Sequence, residues 1–204
     1  KLINNPKSSY DLILHNIKNL DETQLSKIRI RMSVDSKTAY ELVSSITHIV
    51  DLGFKQIVAG IVYSDNSWCI DSLSCLHKNM LIVKEKFKNS NVKISFLEKT
   101  KLKPIGICDG GITSFDINVD GNIYPCTYVS GDKSHIIGDI YNGLTANHND
   151  LVDMYTTANP ECEFCEYKSY CMASRCKYIN KSLTDDFHKP NPVICRVENI
   201  LYRL

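Results

Sequence analysis

Residues 161–195 read ECEFCEYKSYCMASRCKYINKSLTDDFHKPNPVIC: Cys162-x2-Cys165-x5-Cys171-x4-Cys176, then eighteen residues, then Cys195. Cys108 and Cys126 stand upstream, so seven of the nine cysteines fall between residues 108 and 195. Thiolates at such short spacings can meet at one metal centre, because a few residues of turn bring their sulfurs within ligand range. Four thiolates suit a structural zinc or an iron–sulfur cluster, and spacing alone does not choose between them. One zinc leaves too many cysteines. Two four-thiolate sites leave one ligand short.

Upstream of this run, Phe115–Val119 and Ile123–Cys126 flank Asp120-Gly121-Asn122, a strong hairpin signal. The hairpin returns Cys126 towards Cys108, so both thiols can address one centre. Residues 127–160 carry little pattern, and Val193–Leu204 reads as a short helix with Cys195 in its first turn. The six histidines form no metal-binding pair. Gly110-Gly111 is a turn, too short for a phosphate loop, and Asp185-Asp186 is a solvated turn.

The first half has a different rhythm. Asn4, Asn5 and Pro6 lead to Ser8 and Ser9, candidate caps for a helix whose apolar face is Tyr10, Ile13, Leu14, Ile17 and Leu20. Lys27–Val34 alternates as a strand, with Ile28, Ile30, Met32 and Val34 on one face and Arg29, Arg31 and Ser33 on the other. A second helix opens with a Thr38/Glu41 capping box, carries Leu42, Val43, Ile46, Ile49 and Val50, and stops at Gly53. A strand over 54–63, a third helix over 70–89 and a strand through Val92, Ile94 and Phe96 follow. This α-β-α-β-α-β order predicts parallel strands joined by crossovers. Three strands cannot close a barrel, which typically takes about 250 residues, so the first half reads either as part of one that lacks its N-terminal half or as paired with something else. Arg29, Arg31 and Ser33 then suit either a solvated sheet face or a polar lumen. The rhythm ends at 102–106, giving two domains, 1–105 and 106–204.

Net charge +1 gives no footprint for nucleic acid, and apolar stretches broken by charges give no membrane span. A cytoplasmic location follows by default, where cysteines serve as ligands or reduced thiols rather than disulfides. Cys69 and Cys75, in or beside the third helix, read as core or incidental thiols.

Cys108-x12-Gly121-x4-Cys126, Cys162-x2-Cys165-x5-Cys171, Cys176 and Cys195, in that order, resemble the SPASM domain of radical S-adenosylmethionine (SAM) enzymes that modify peptides and proteins. The Tyr124-Pro125-Cys126 end of the hairpin and the Gly138-Asp139 step share the likeness, and the first half resembles the later part of that family's partial (β/α) barrel. Four residues separate Cys171 from Cys176, where the family usually has three. The resemblance implies two auxiliary [4Fe–4S] clusters. Cys108, Cys126 and Cys176 would hold the first, with one coordination position open to a substrate thiolate or an added ligand. Cys162, Cys165, Cys171 and Cys195 would hold the second. It further implies an oxidoreductase that matures a ribosomally made peptide or protein, cysteine-containing substrates included. Arg31 and Ser33 are the expected SAM contacts. The family's C-x3-C-x2-C motif, which binds a third [4Fe–4S] cluster and cleaves SAM, is absent from this sequence. The intact protein would be the enzyme, while this chain alone is not expected to cleave SAM. The competing reading is a non-catalytic, zinc-binding interaction module.

Overall fold

The computed structural model describes residues 8–98 and 104–204. The Asn4-Asn5-Pro6 leader and the start of the 102–106 boundary lie outside the described residues. The chain divides into two compact units, Lys1–Lys101 with Arg203–Leu204, and Leu102–Tyr202.

In the first unit, helix α1 (Ser9–Ile17) begins where Ser8 and Asp11 exchange side-chain and backbone hydrogen bonds, satisfying two of the helix's unpaired N–H groups. Helix α2 (Glu22–Lys27) has the same box, made by Asp21 and Gln24. Six residues are too few to display a helical period, so the sequence alone predicts no helix there. Strand β1 (Arg29–Val34) is followed by a 3-10 turn (Thr38–Glu41) and helix α3 (Leu42–Asp51). The capping box lies one turn earlier than expected. Asp35 accepts from the Thr38 N–H at 2.7 Å, Thr38 Oγ1 accepts from the Asp35 N–H at 2.9 Å, and Glu41 caps nothing. Gly53, at φ +94, ends the helix as expected.

Strand β2 (Gln56–Ile61) pairs in parallel with β1, Arg29 opposite Gln56. Helix α4 (Ile70–Phe87) leads to strand β3 (Lys93–Ile94), parallel to β2. The third strand is shorter than expected, because Ser95–Glu98 turns into helix α5 and carries Phe96 into the core from there. Val34, Leu42, Ile46, Ile57, Leu76, Met80, Val83 and Ile94 are buried together with Phe96. Each such side chain contributes roughly 1.5–3 kcal/mol relative to exposure. The sheet order is β1-β2-β3.

The second unit is built on a four-stranded antiparallel sheet, ordered β4 (Asp116–Ile117), β5 (Asn122–Tyr124), β6 (Gly138–Asp139), β7 (Gly143–Leu144). Gly121, at φ +83, makes the turn between β4 and β5. Helices α6 (His148–Thr156), α7 (Met172–Arg175), α8 (Lys177–Thr184) and α9 (Pro192–Tyr202) follow. Ile194, Val197 and Leu201 bury one face of α9. No helix of the described residues is long and apolar enough to cross a membrane.

Candidate metal centre

The 159–171 segment is a series of tight turns. The Cys162 N–H bonds the Asn159 carbonyl at 2.9 Å, Cys165 bonds Cys162 at 3.1 Å, Lys168 bonds Cys165 at 3.2 Å and Tyr170 bonds Tyr167 at 2.9 Å. Each turn reverses the chain within a few residues, and Cys171 then stands at the start of α7. Cys195 enters from α9, its N–H bonded to the Asn191 carbonyl at 3.1 Å. The rings of Tyr167 and Tyr202 stack at 4.9 Å, and Tyr202 donates its hydroxyl to the Tyr170 carbonyl, fastening α9 to the turns.

The product of this folding is one cavity of about 80 Å³, lined by Cys162, Cys165, Cys171 and Cys195 with Glu161 and Glu198. A single water needs about 10–15 Å³ of such space, so the cavity has room for more than one. Burial pushes the Cys162 and Cys171 thiols up, and burial with the neighbouring Cys171, Cys162 and Cys165 pushes Cys195 up to about 11. Cys165 is the exposed member.

Cys108, Cys126 and Cys176 form a second neighbourhood. Cys108 and Cys126 pack, half-buried, against Val129, Tyr155 and Tyr178. Burial pushes the Cys176 thiol up, with Cys108 and Cys126 adding to it. The turn after Cys108 is held close to the hairpin end. A Cβ on Gly110 would meet the Pro125 carbonyl oxygen at 2.7 Å, so only glycine allows that approach. Cys176 belongs to this neighbourhood although it lies in sequence with the other. Helix α7, four residues long, carries the chain from Cys171 in one to Cys176 in the other.

Lys177 stands beside Cys176 and is only 2% exposed. Its Nζ donates to the Thr157 carbonyl at 2.7 Å, to Asn159 Oδ1, and to His188 Nδ1 at 3.1 Å. Asn159, 4% exposed, donates through Nδ2 to the Ala173 carbonyl at 3.0 Å and to Cys162 Sγ at 3.9 Å. Cys162, Lys168, Arg175 and Lys177 also line a wider cleft of about 700 Å³. Neither Lys177 nor Asn159 carried a sequence signal, because burial of a lysine is a tertiary fact with no periodicity or spacing of its own.

Among the described residues no three His, Cys, Asp or Glu side chains converge on a single-ion site. Arg29, Arg31 and Ser33 lie on the exposed face of β1. Cys69 is no core thiol. It is exposed, and it caps α4 by exchanging hydrogen bonds with Ser72. Cys75 is half-buried against Asn79.

No family model matches the chain, and no curated protein matches it. Solved structures do, and the chain shares with them a mixed α/β fold with a parallel sheet. Native anSMEcpe with bound AdoMet matches with a TM-score of 0.63 at 18% identity, over 86% of this chain and 53% of that one. Native anSMEcpe with bound AdoMet and the Cp18Cys peptide matches with a TM-score of 0.62 at 20% identity, over 86% and 54%. anSME is the anaerobic sulfatase-maturating enzyme, a radical SAM enzyme with a SPASM domain that acts on peptides. The present chain spans about half the length of these structures.

Proposed function

We propose that this chain is part of a radical SAM/SPASM maturase that oxidatively modifies a ribosomally made peptide or protein. The observation that carries the reading is the ring of Cys162, Cys165, Cys171 and Cys195 around one cavity, in a chain sharing its fold with such enzymes. A ring of thiols around a space suits a [4Fe–4S] cluster, in which each thiolate takes a different iron. These four residues would hold one cluster. Cys108, Cys126 and Cys176 would hold another, leaving one position for a substrate thiolate. When bound, the clusters supply one-electron transfer. The protein supplies deprotonated sulfurs, the turns that aim them, and the aromatic wall of Tyr155 and Tyr178 against which Cys108 and Cys126 pack. Arg31 and Ser33, on the open face of β1, are the candidates for contact with SAM in the intact enzyme.

The support for a peptide substrate is that the similar structures include anSMEcpe with bound peptides. Electron paramagnetic resonance on anaerobically reconstituted protein tests the reading. Two distinct cluster signals are expected, one of which changes when a cysteine-containing peptide is added and not when its serine analogue is added. Unchanged spectra would remove the open position from the account.

A further inference from the structure

Lys177 places a cation in the interior, and its three N–H groups all go to neutral acceptors: the Thr157 carbonyl, the Asn159 amide and the His188 ring nitrogen. Among the described residues it makes no ion pair with a carboxylate. A buried charge without a counter-charge is costly, so such groups stand near an opposite charge or a metal site. Two sources of negative charge act on Lys177, Cys162 of the four-thiol cavity first and Asp186 next, and the cavity is reached through one side chain. Asn159 accepts from Lys177 through Oδ1 and turns Nδ2 towards Cys162 Sγ at 3.9 Å. The amide is fixed in that orientation because its other N–H bonds the Ala173 carbonyl at 3.0 Å.

We infer that Lys177 and Asn159 form a buried cation–amide pair that raises the reduction potential of the cluster held by Cys162, Cys165, Cys171 and Cys195. The inference rests on the cluster reading given above. On reduction the cluster takes one electron from an external one-electron donor, and no bond to carbon forms or breaks. The added negative charge is favoured by a nearby cation in a low-dielectric interior. An N–H pointed at a ligand sulfur works in the same direction, because it draws electron density from the thiolate. Hydrogen bonding of Oδ1 to the ammonium polarises the amide and strengthens that effect. Glu161 and Glu198 line the same cavity and oppose the pair. Lys168 also lines it, but Lys168 is exposed and its charge is screened by water. Lys177 is therefore a positioning residue. It acts on the redox centre through Asn159 without touching substrate.

The test is a potentiometric titration of the reconstituted chain with dithionite, followed by electron paramagnetic resonance. The signal of the four-cysteine cluster is assigned by its loss in Cys195→Ala. Lys177→Gln keeps a polar side chain and removes the charge. Its equilibrium constant for reduction is expected to fall at least tenfold, which for a one-electron couple is a midpoint about 59 mV more negative. Lys177→Arg should restore most of the wild-type value. Asn159→Ala should shift the midpoint the same way by a smaller factor, and Lys168→Met by less than threefold. A wild-type midpoint in Lys177→Gln with full iron content would overturn the inference and leave the cluster reading standing. Loss of iron from both Lys177→Gln and Asn159→Ala in otherwise folded protein would make the pair structural and overturn the inference as well. Wild-type protein that takes up no iron and sulfide would remove the cluster reading, and the inference with it.

Discussion

Tyr155 donates its hydroxyl to the carbonyl oxygen of Gly110 at 2.7 Å, fastening helix α6 to the turn that follows Cys108. Burial first, and the nearby Cys108 thiol next, push the phenol above its ordinary range. Tyr155→Phe removes the donor and leaves a buried carbonyl unpaired, at a cost of about 1–3 kcal/mol. A lowered midpoint in chemical denaturation is expected. Iron should also be retained less well by the three-cysteine site than by the four-cysteine site. An unchanged midpoint would show that Gly110 is held by other contacts.

Gly138 sits where strands β6 and β7 come closest. A Cβ there would lie 2.8 Å from Leu144 Cα and would also run into the Gly143 carbonyl. Both obstacles are backbone, which cannot rotate away. Gly138→Ala should therefore destabilise the second unit by about 3 kcal/mol, at the upper end of overpacking costs. Gly143 has φ +76 but open space around its Cα, so Gly143→Ala should be the milder change, confined to backbone strain of about 1–3 kcal/mol. Thermal unfolding of the two variants gives the order directly.

The two thiol neighbourhoods predict separable losses. Cys171→Ala should remove the iron of the four-cysteine site and spare the other, and Cys126→Ala should do the reverse. Each should lower total iron by about four atoms per chain. Cys69→Ala should change iron content not at all, since that thiol is an exposed cap on α4. Iron analysis after anaerobic reconstitution reads all three. Loss of all iron in every variant would mean that the two sites do not assemble independently.

In the first unit, Asp65 accepts from the backbone N–H groups of Ser36 and Ser67, each at 2.8 Å. These bonds to Ser36 and then Ser67 favour the ionised carboxyl and hold its folded pKa at about 2, below the ordinary 3.8. A depressed folded pKa contributes stability that is complete above the ordinary value and is lost as pH falls towards 2. Denaturation midpoints between pH 5 and pH 2 should therefore fall more steeply in wild type than in Asp65→Asn. The variant should be the less stable at pH 7, because its amide turns a donor towards one of the two N–H groups. Parallel pH curves for the two proteins would contradict this.

The local rhythm of the chain was readable where one face of an element is buried. The alternation Ile30, Met32, Val34 located β1, the spacing of Leu42 and Ile46 located α3, and Gly53 located its end. Short elements without a turn signal beside them were not readable. Strands β6 and β7 have two residues each, too few for a period of two to show, and α6 follows them in the stretch of weak pattern. Phe96 fitted a continued strand equally well as a helical turn, because a single buried aromatic satisfies both. At the site, the cysteines were visible through spacing. Lys177, Asn159 and Tyr155 were not, since each acts through a contact made across 18 to 45 residues.

If the seven cysteines serve iron–sulfur chemistry, as proposed, iron and sulfide must accompany the folded chain. The direct measurement is the iron, acid-labile sulfide and zinc content of the chain after anaerobic reconstitution. About eight irons and about eight sulfides per chain are expected, as two [4Fe–4S] clusters require. One or two zincs per chain with no sulfide, in protein never exposed to air, would contradict it.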